Sequence, residues 1–344
     1  MLRFLRTLFL GLSRSPWFRE LSLRQPILRR AVRRFIAGER LDEALDALGR
    51  LNRDGLSATL DLLGEDVTTP AQAEASADAY LGIVDALRAH PVPPDLPGVD
   101  NNLSLKLTQL GLAVDAAHCA RLLRRILDRA AVRPWACGAS QRCPDGAPMF
   151  VRIDMESSAY TGATLALFDT LWAEGRRDVG VVIQAYLHRS AADVDRLNAL
   201  GARVRLVKGA YDEPPTVAYP RKRDVDAAFA RLAEALLRDG VYPAFATHDE
   251  RLIDHVVRTA AAAGIPADRF EFQMLYGIRR DLQAGLRRRG YRVRVYVPFG
   301  EEWYPYFMRR LAERPANVGF VLRSLIRERP GRPGRPATMK LKAA

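Results

Sequence analysis

Apolar and polar positions along this chain alternate between two rhythms. Eight short apolar or β-branched runs, each closed by a polar or glycine-containing turn, read as strands over 58–64, 102–108, 149–155, 180–186, 203–210, 242–247, 270–276 and 292–298. Between them lie stretches with helical spacing, such as 71–87, 112–131, 224–237 and 249–263. Thr68, Thr69 and Pro70 supply a cap and an early helical proline, Asp224 and Asp249 carry helix-start chemistry, and Gly201, Gly240 and Gly264 stand where helices must stop. Eight strand–helix units predict a (β/α)8 barrel, an α/β fold of the TIM type.

The chain has 344 residues, 48% of them apolar, and a barrel of this kind occupies roughly 250 residues as one domain. The remainder lies at the two ends, and so does the charge. Residues 1–40 hold ten arginines against two glutamates, and residues 327–344 hold four arginines and two lysines against one glutamate. These excesses of +8 and +5 account for the whole formal charge of +13, so the segment from 41 to 326 is neutral. The predicted organisation is a basic helical arm over 1–50, a catalytic barrel over 51–326 and a basic, disordered tail over 327–344.

The arm begins Met1-Leu2-Arg3-Phe4-Leu5-Arg6, apolar residues interrupted by arginine at a spacing of three. It lacks a secretory signal and is shorter than the ~20 apolar residues of a membrane span. It reads either as an amphipathic helix on an anionic membrane surface or as a helix packed on the barrel with its arginines in water. The expected location is cytoplasmic, with peripheral attachment to the inner face of the membrane under the first reading. No binding module accompanies the charge, so nucleic acid is not an expected partner. Cys119, Cys137 and Cys143 show no zinc spacing and no disulfide framework, and no metal is expected.

Active sites of such barrels form at the C-terminal ends of the strands, which makes late polar positions the candidates. Those are Lys106, Asp154, Gln184, Arg205, Lys208, Thr247, His248, Gln273 and Tyr296. After the last strand, Arg309 and Arg310 stand with Glu313 one turn on, a spacing suited to a braced cationic clamp for a carboxylate or phosphate. Two other readings stay open on this evidence: a Schiff-base aldolase with Lys106 or Lys208 as nucleophile, and a non-enzymatic basic adaptor.

The ordered segments Leu60-Asp61-Leu62-Leu63-Gly64-Glu65, Ser104-Leu105-Lys106-Leu107, Ile153-Asp154-Met155-Glu156, Gln184-Ala185-Tyr186 and Arg205 to Tyr211 carry a family resemblance. With Phe245-Ala246-Thr247-His248, Glu271-Phe272-Gln273-Met274-Leu275, Tyr296-Val297-Pro298-Phe299-Gly300 and Tyr306-Phe307-Met308-Arg309-Arg310-Leu311, they resemble the successive motifs of proline dehydrogenases, most closely the short, single-activity bacterial type. The resemblance implies a distorted barrel with extra N-terminal helices, holding FAD noncovalently. It implies oxidation of L-proline to Δ1-pyrroline-5-carboxylate by hydride transfer to the flavin N5, with electrons passed to a membrane quinone.

Residue by residue, the resemblance implies that Lys106, Arg309 and Arg310 bind the substrate carboxylate, that Glu313 braces the arginines and that Tyr296 packs on the pyrrolidine ring. Asp154 and Arg205 become the catalytic polar pair. Met155, Gln184, Arg205, Lys208, Gly209, Ala210, Thr247 and His248 become cofactor contacts, with Gln273 and Leu275 joining them. The basic ends and the cysteine-bearing loop between the second and third strands receive no role from it.

Overall fold

The computed structural model describes residues 34–64, 67–90, 92, 96, 98–132, 148–304, 306 and 307. Within them all eight predicted strands form and close into one parallel barrel, each hydrogen-bonded to its sequence neighbour and β8 to β1. A helix, α1 (Leu41–Arg53), precedes the barrel. It is followed by β1 (Ser57–Leu62), α2 (Pro70–Ala89), β2 (Asn101–Leu105), a 3-10 turn (Thr108–Leu110) and α3 (Ala116–Ala131). Next come β3 (Val151–Ile153), α4 (Ser158–Ala173), β4 (Val179–Gln184), α5 (Ser190–Leu200) and β5 (Val204–Val207). The order ends with α6 (Lys222–Asp239), β6 (Ala244–Ala246), α7 (Glu250–Ala262), β7 (Glu271–Leu275), α8 (Arg280–Arg288) and β8 (Arg292–Phe299).

The period of two along each strand sorts side chains between helices and lumen. Ala58 and Leu60, Leu103 and Leu105, Val204 and Leu206, and Val293, Val295 and Val297 join one continuous apolar core. Fully burying such a side chain contributes about 1.5–3 kcal/mol, so this outer layer dominates the hydrophobic term. The alternate positions, Thr59 and Asp61, Asn102 and Ser104, Arg205, Glu271 and Gln273, and Arg294 and Tyr296, are polar or charged and turn inward. Arg205 on β5 donates to Ser104 on β2, strands that are not neighbours, which requires a path through the lumen.

Local chemistry sets the element ends. Thr69 and Gln72 form a capping box at α2, and Asp249 accepts from the Arg251 N–H at α7. The predicted helix over 112–131 begins only at Ala116, because Asp115 accepts from the backbone of Ala117 and His118 and so fixes the start. The predicted second strand, drawn to Thr108, ends at Leu105, where the chain tightens into the 3-10 turn. Helix α1 runs across the expected boundary at residue 50 and buries Ala44, Ala47 and Leu48. No helix among the described residues is long and apolar enough to cross a membrane.

The lower, N-terminal end of the lumen is plugged by charge. Arg294 donates to both Glu271 oxygens at 2.9 and 3.2 Å, to Asp100 Oδ1 at 2.7 Å and to the carbonyls of Ala58 and Asp100. Arg152 donates to the carbonyls of Val181 and Arg203 and lies over the Phe150 ring. Gly180 is required beside it, since a Cβ there would stand 2.7 Å from the guanidinium and 2.5 Å from the Arg203 carbonyl.

Candidate active site

Strand ends, not strand bodies, carry most of the predicted site. Lys106 and Asp154 directly follow β2 and β3, Gln184 closes β4, Lys208 follows β5 and Thr247 and His248 follow β6. Arg205 sits lower, second in β5, and its long side chain reaches up into the cluster. A ladder bond from the Asp154 N–H to the Leu105 carbonyl, 2.8 Å, seats the rim of β3 beside that of β2.

The upper lumen joins four strands, β2, β3, β5 and β8, through one carboxylate. Asp154 Oδ1 accepts from Arg205 at 2.6 Å and from the Ser104 hydroxyl at 3.2 Å, while Oδ2 accepts from the Tyr296 hydroxyl at 2.6 Å. Arg205 also donates to Ser104 at 3.1 Å and stands 5.4 Å from the Tyr296 ring centre. Beside this group Lys106 Nζ donates to Asp61 Oδ1 at 2.8 Å. Burial pushes the Asp61 carboxyl up, with Lys106 pulling it back and the charge of Asp154 adding to the rise. Burial, with Asp154 and Asp61 adding to it, holds the Tyr296 hydroxyl well above its ordinary range, so it is a neutral donor. Two acids, two cations and a phenol therefore share one water-poor space.

The cofactor candidates form an arc along the rim. Gln184 donates to the Glu156 carbonyl, and its own Oε1 is buried with no hydrogen-bond partner among the described residues; Arg205 Nε is in the same condition. His248 Nε2 accepts from the Leu275 N–H at 3.0 Å, which puts the neutral ring's proton on Nδ1. Gly209 has φ +110°, and the Tyr186 ring fills the space a Cβ would take. Thr247 Oγ1 accepts from the Asp249 N–H, Met155 is buried beside Asp154, and Ala210 and Leu275 stand at the same rim. Buried amide and guanidine atoms with capacity left over fit the polar edge of a flavin ring, so this donor set suits the expected cofactor.

Two candidates are engaged elsewhere. Lys208 bonds Asp226 at 2.6 Å and Asp249 at 2.8 Å; burial works against both carboxylates, yet the Lys208 hydrogen bond keeps each below the usual range. Gln273 turns its amide down to Glu271, within the lower charged plug. Arg309, Arg310 and Glu313 lie outside the described residues, as do Cys137, Cys143, most of the arm and the whole tail. Cys119 is buried, which pushes its thiol up to about 12. Among the described residues no group of His, Cys, Asp or Glu is arranged to hold a metal ion.

Sequence reasoning left Asp61 and Ser104 without roles although both lie in the quoted segments. The available signal was parity: Asp61 between Leu60 and Leu62, and Ser104 between Leu103 and Leu105, are the inward positions of otherwise apolar strands. Asp226 and Glu271 gave no comparable signal, because one is a helix residue and the other opens its strand.

Comparisons with known proteins come to the same place. The family model for proline dehydrogenase matches residues 44–323. Proline dehydrogenase of Deinococcus radiodurans is 43% identical over 298 residues, covering 86% of this chain and 89% of the relative. Proline dehydrogenase 1 of Bacillus subtilis is 40% identical over 300 residues, covering 87% and 92%. Among solved structures, proline utilization A of Bdellovibrio bacteriovorus, inactivated by N-propargylglycine, superposes with a TM-score of 0.72 at 28% identity, covering 86% of this chain and 34% of that one.

Proposed function

Since this chain belongs to the proline dehydrogenase family, we propose that it oxidises L-proline to Δ1-pyrroline-5-carboxylate with noncovalently bound FAD and passes the electrons to a membrane quinone. The observation that carries the reading is the constellation of buried Asp154, Arg205 and Lys106 with half-buried Tyr296 at the C-terminal end of a barrel that the family model matches over residues 44–323.

FAD, when bound, supplies the two-electron acceptor for the hydrogen on the ring carbon beside the amine. Gln184, Arg205, Thr247 and His248 would hold it along the rim, with Met155, Gly209, Ala210 and Leu275 beside them. Lys208 and Gln273 join that set from the family resemblance, Lys208 through a charge it now shares with Asp226 and Asp249.

The protein's part is orientation and field. Lys106, together with Arg309 and Arg310, would fix the substrate carboxylate, and Glu313 would brace the arginines. Cations around the substrate favour the amine without its extra proton, the form able to give up hydride. Tyr296, locked to Asp154 by its hydroxyl, presents its ring as a flat wall for the pyrrolidine. Asp154 keeps Arg205 in one rotamer, so that the guanidinium meets developing negative charge without reorganising.

The electron acceptor sits in a membrane in this reading, and the basic arm is the proposed peripheral contact from the cytoplasmic side. A visible spectrum of the purified protein under anaerobic conditions tests cofactor and substrate together. The expected result is a yellow preparation that bleaches on adding proline. A colourless protein trapped by borohydride with a carbonyl substrate would instead favour a lysine nucleophile.

A further inference from the structure

The acid that contacts Lys106 has no part in the reading above. Asp61 is fully enclosed, its side chain 1% exposed, and Lys106 is 11% exposed, so their 2.8 Å contact is an ion pair made away from water. Asp61 lies on β1 opposite Ser104 of β2 and therefore two residues below Lys106, on the neighbouring strand. The lysine side chain rises past it to the rim. Asp61 Oδ2 has no hydrogen-bond partner among the described residues, and the other oxygen accepts from the ammonium.

Resting on the proline reading, we propose that Asp61 is the positioning residue for Lys106: it holds the ammonium in place and charged before the substrate carboxylate arrives. A lysine head this deep loses water on all sides and, without a counter-charge, sheds its proton. A neutral amine has no charge to offer a carboxylate. Asp61 thus acts through Lys106 and touches no reacting atom itself.

The groups facing Asp61 define what a titration must disentangle. They are Lys106 after β2, Asp154 after β3, Tyr296 on β8 and Tyr80 on α2, whose hydroxyl donates to Gln109. Arg205, from β5, pairs with Asp154 at 2.6 Å. Both tyrosines are held neutral by burial, so the pair to be tested is Asp61 with Lys106.

A double-mutant cycle tests this, using D61N, K106M and the double variant, with proline kinetics against a soluble dye and thermal unfolding of each. In D61N the proline KM should rise about tenfold, equivalent to about 1.4 kcal/mol of carboxylate binding, with kcat changing far less. The ratio of the D61N KM to the unaltered KM should climb with pH, because the lysine now titrates below its ordinary value. Taking the ratio cancels the titration of proline. In the K106M background, D61N should change KM less than twofold, a small residual coupling, and should raise the thermal midpoint by removing an uncompensated buried acid.

A pH-independent ratio, or the same KM penalty in both backgrounds, overturns the assignment. Should D61N alone fail to fold, the comparison of K106M with the double variant decides, and a double variant less stable than K106M counts against the pair. Wild-type protein that neither bleaches nor turns over with proline would sink the proline reading instead, while the thermal coupling can still be read without substrate.

Discussion

The two ends of the barrel lumen are both filled with charge, yet they are built for different purposes. At the lower end Arg294 is saturated by Glu271, Asp100 and two backbone carbonyls, and one nitrogen of Arg152 donates to two further carbonyls. Backbone acceptors cannot turn away, so this plug is part of the scaffold. At the upper end Asp154, Arg205, Ser104, Tyr296, Asp61 and Lys106 bond side chain to side chain. Among the described residues, Asp61 Oδ2, Arg205 Nε and Gln184 Oε1 keep bonding capacity there, against Arg152 Nε and Arg203 Nε around the lower plug. A buried polar group with unspent capacity is costly, and it persists where a ligand can meet it. The difference between a structural ion cluster and a site is thus in who the partners are.

Breaking the lower cluster should give the largest effect. R294M leaves Glu271 buried without its counter-ion and should cost about 3–5 kcal/mol in a denaturant titration, with kcat/KM per folded molecule unchanged. Catalytic loss matching the loss of folded protein would support the division, whereas a selective loss of kcat would dissolve it. The reciprocal test is R205M, for which steady-state kinetics should show kcat down about 10²–10³-fold, as for other preorganised electrostatic groups. Its unfolding midpoint should move less than that of R294M, because Asp154 retains Ser104 and Tyr296.

The smallest effect sharpens the lower cluster itself. Burial opposes ionisation of Glu271, but Arg294 outweighs it and brings the carboxyl down to about 2 from an ordinary 4.5. A depressed carboxylate contributes stability above its unfolded value and loses it as the pH falls through the folded one. Unfolding followed between pH 4.5 and 2 should therefore show a shallower slope for E271Q than for the unaltered protein, on top of lower stability at neutral pH. Equal slopes would mean that Glu271 is not ionised in the plug.

Much of this could be read before any fold was known. The strand positions, the caps at Thr69 and Asp249 and the inward parity of Arg205 and Tyr296 are local properties of the chain. So is the ordered series of motifs that resembles the family. Errors fell at edges: α3 began four residues late because Asp115 competes for the first turn, and β2 gave way early to a 3-10 turn. The arginine pair 309–310 suggested a clamp by its spacing to Glu313 and its place after the last strand, and it lies outside the described residues.

By itself the sequence determined the alternation of elements and which side chains of each strand face inward, since a period of two needs no partner. Only the tertiary structure decided who meets whom. Ring closure sets β8 beside β1, more than two hundred positions apart, and lets Tyr296 reach Asp154 across the mouth. It also draws Lys208 to Asp226 and Asp249 and seats Lys106 over Asp61. Parity tells a side chain to enter the lumen. Which charge waits there depends on stagger and closure, and those are properties of eight strands together.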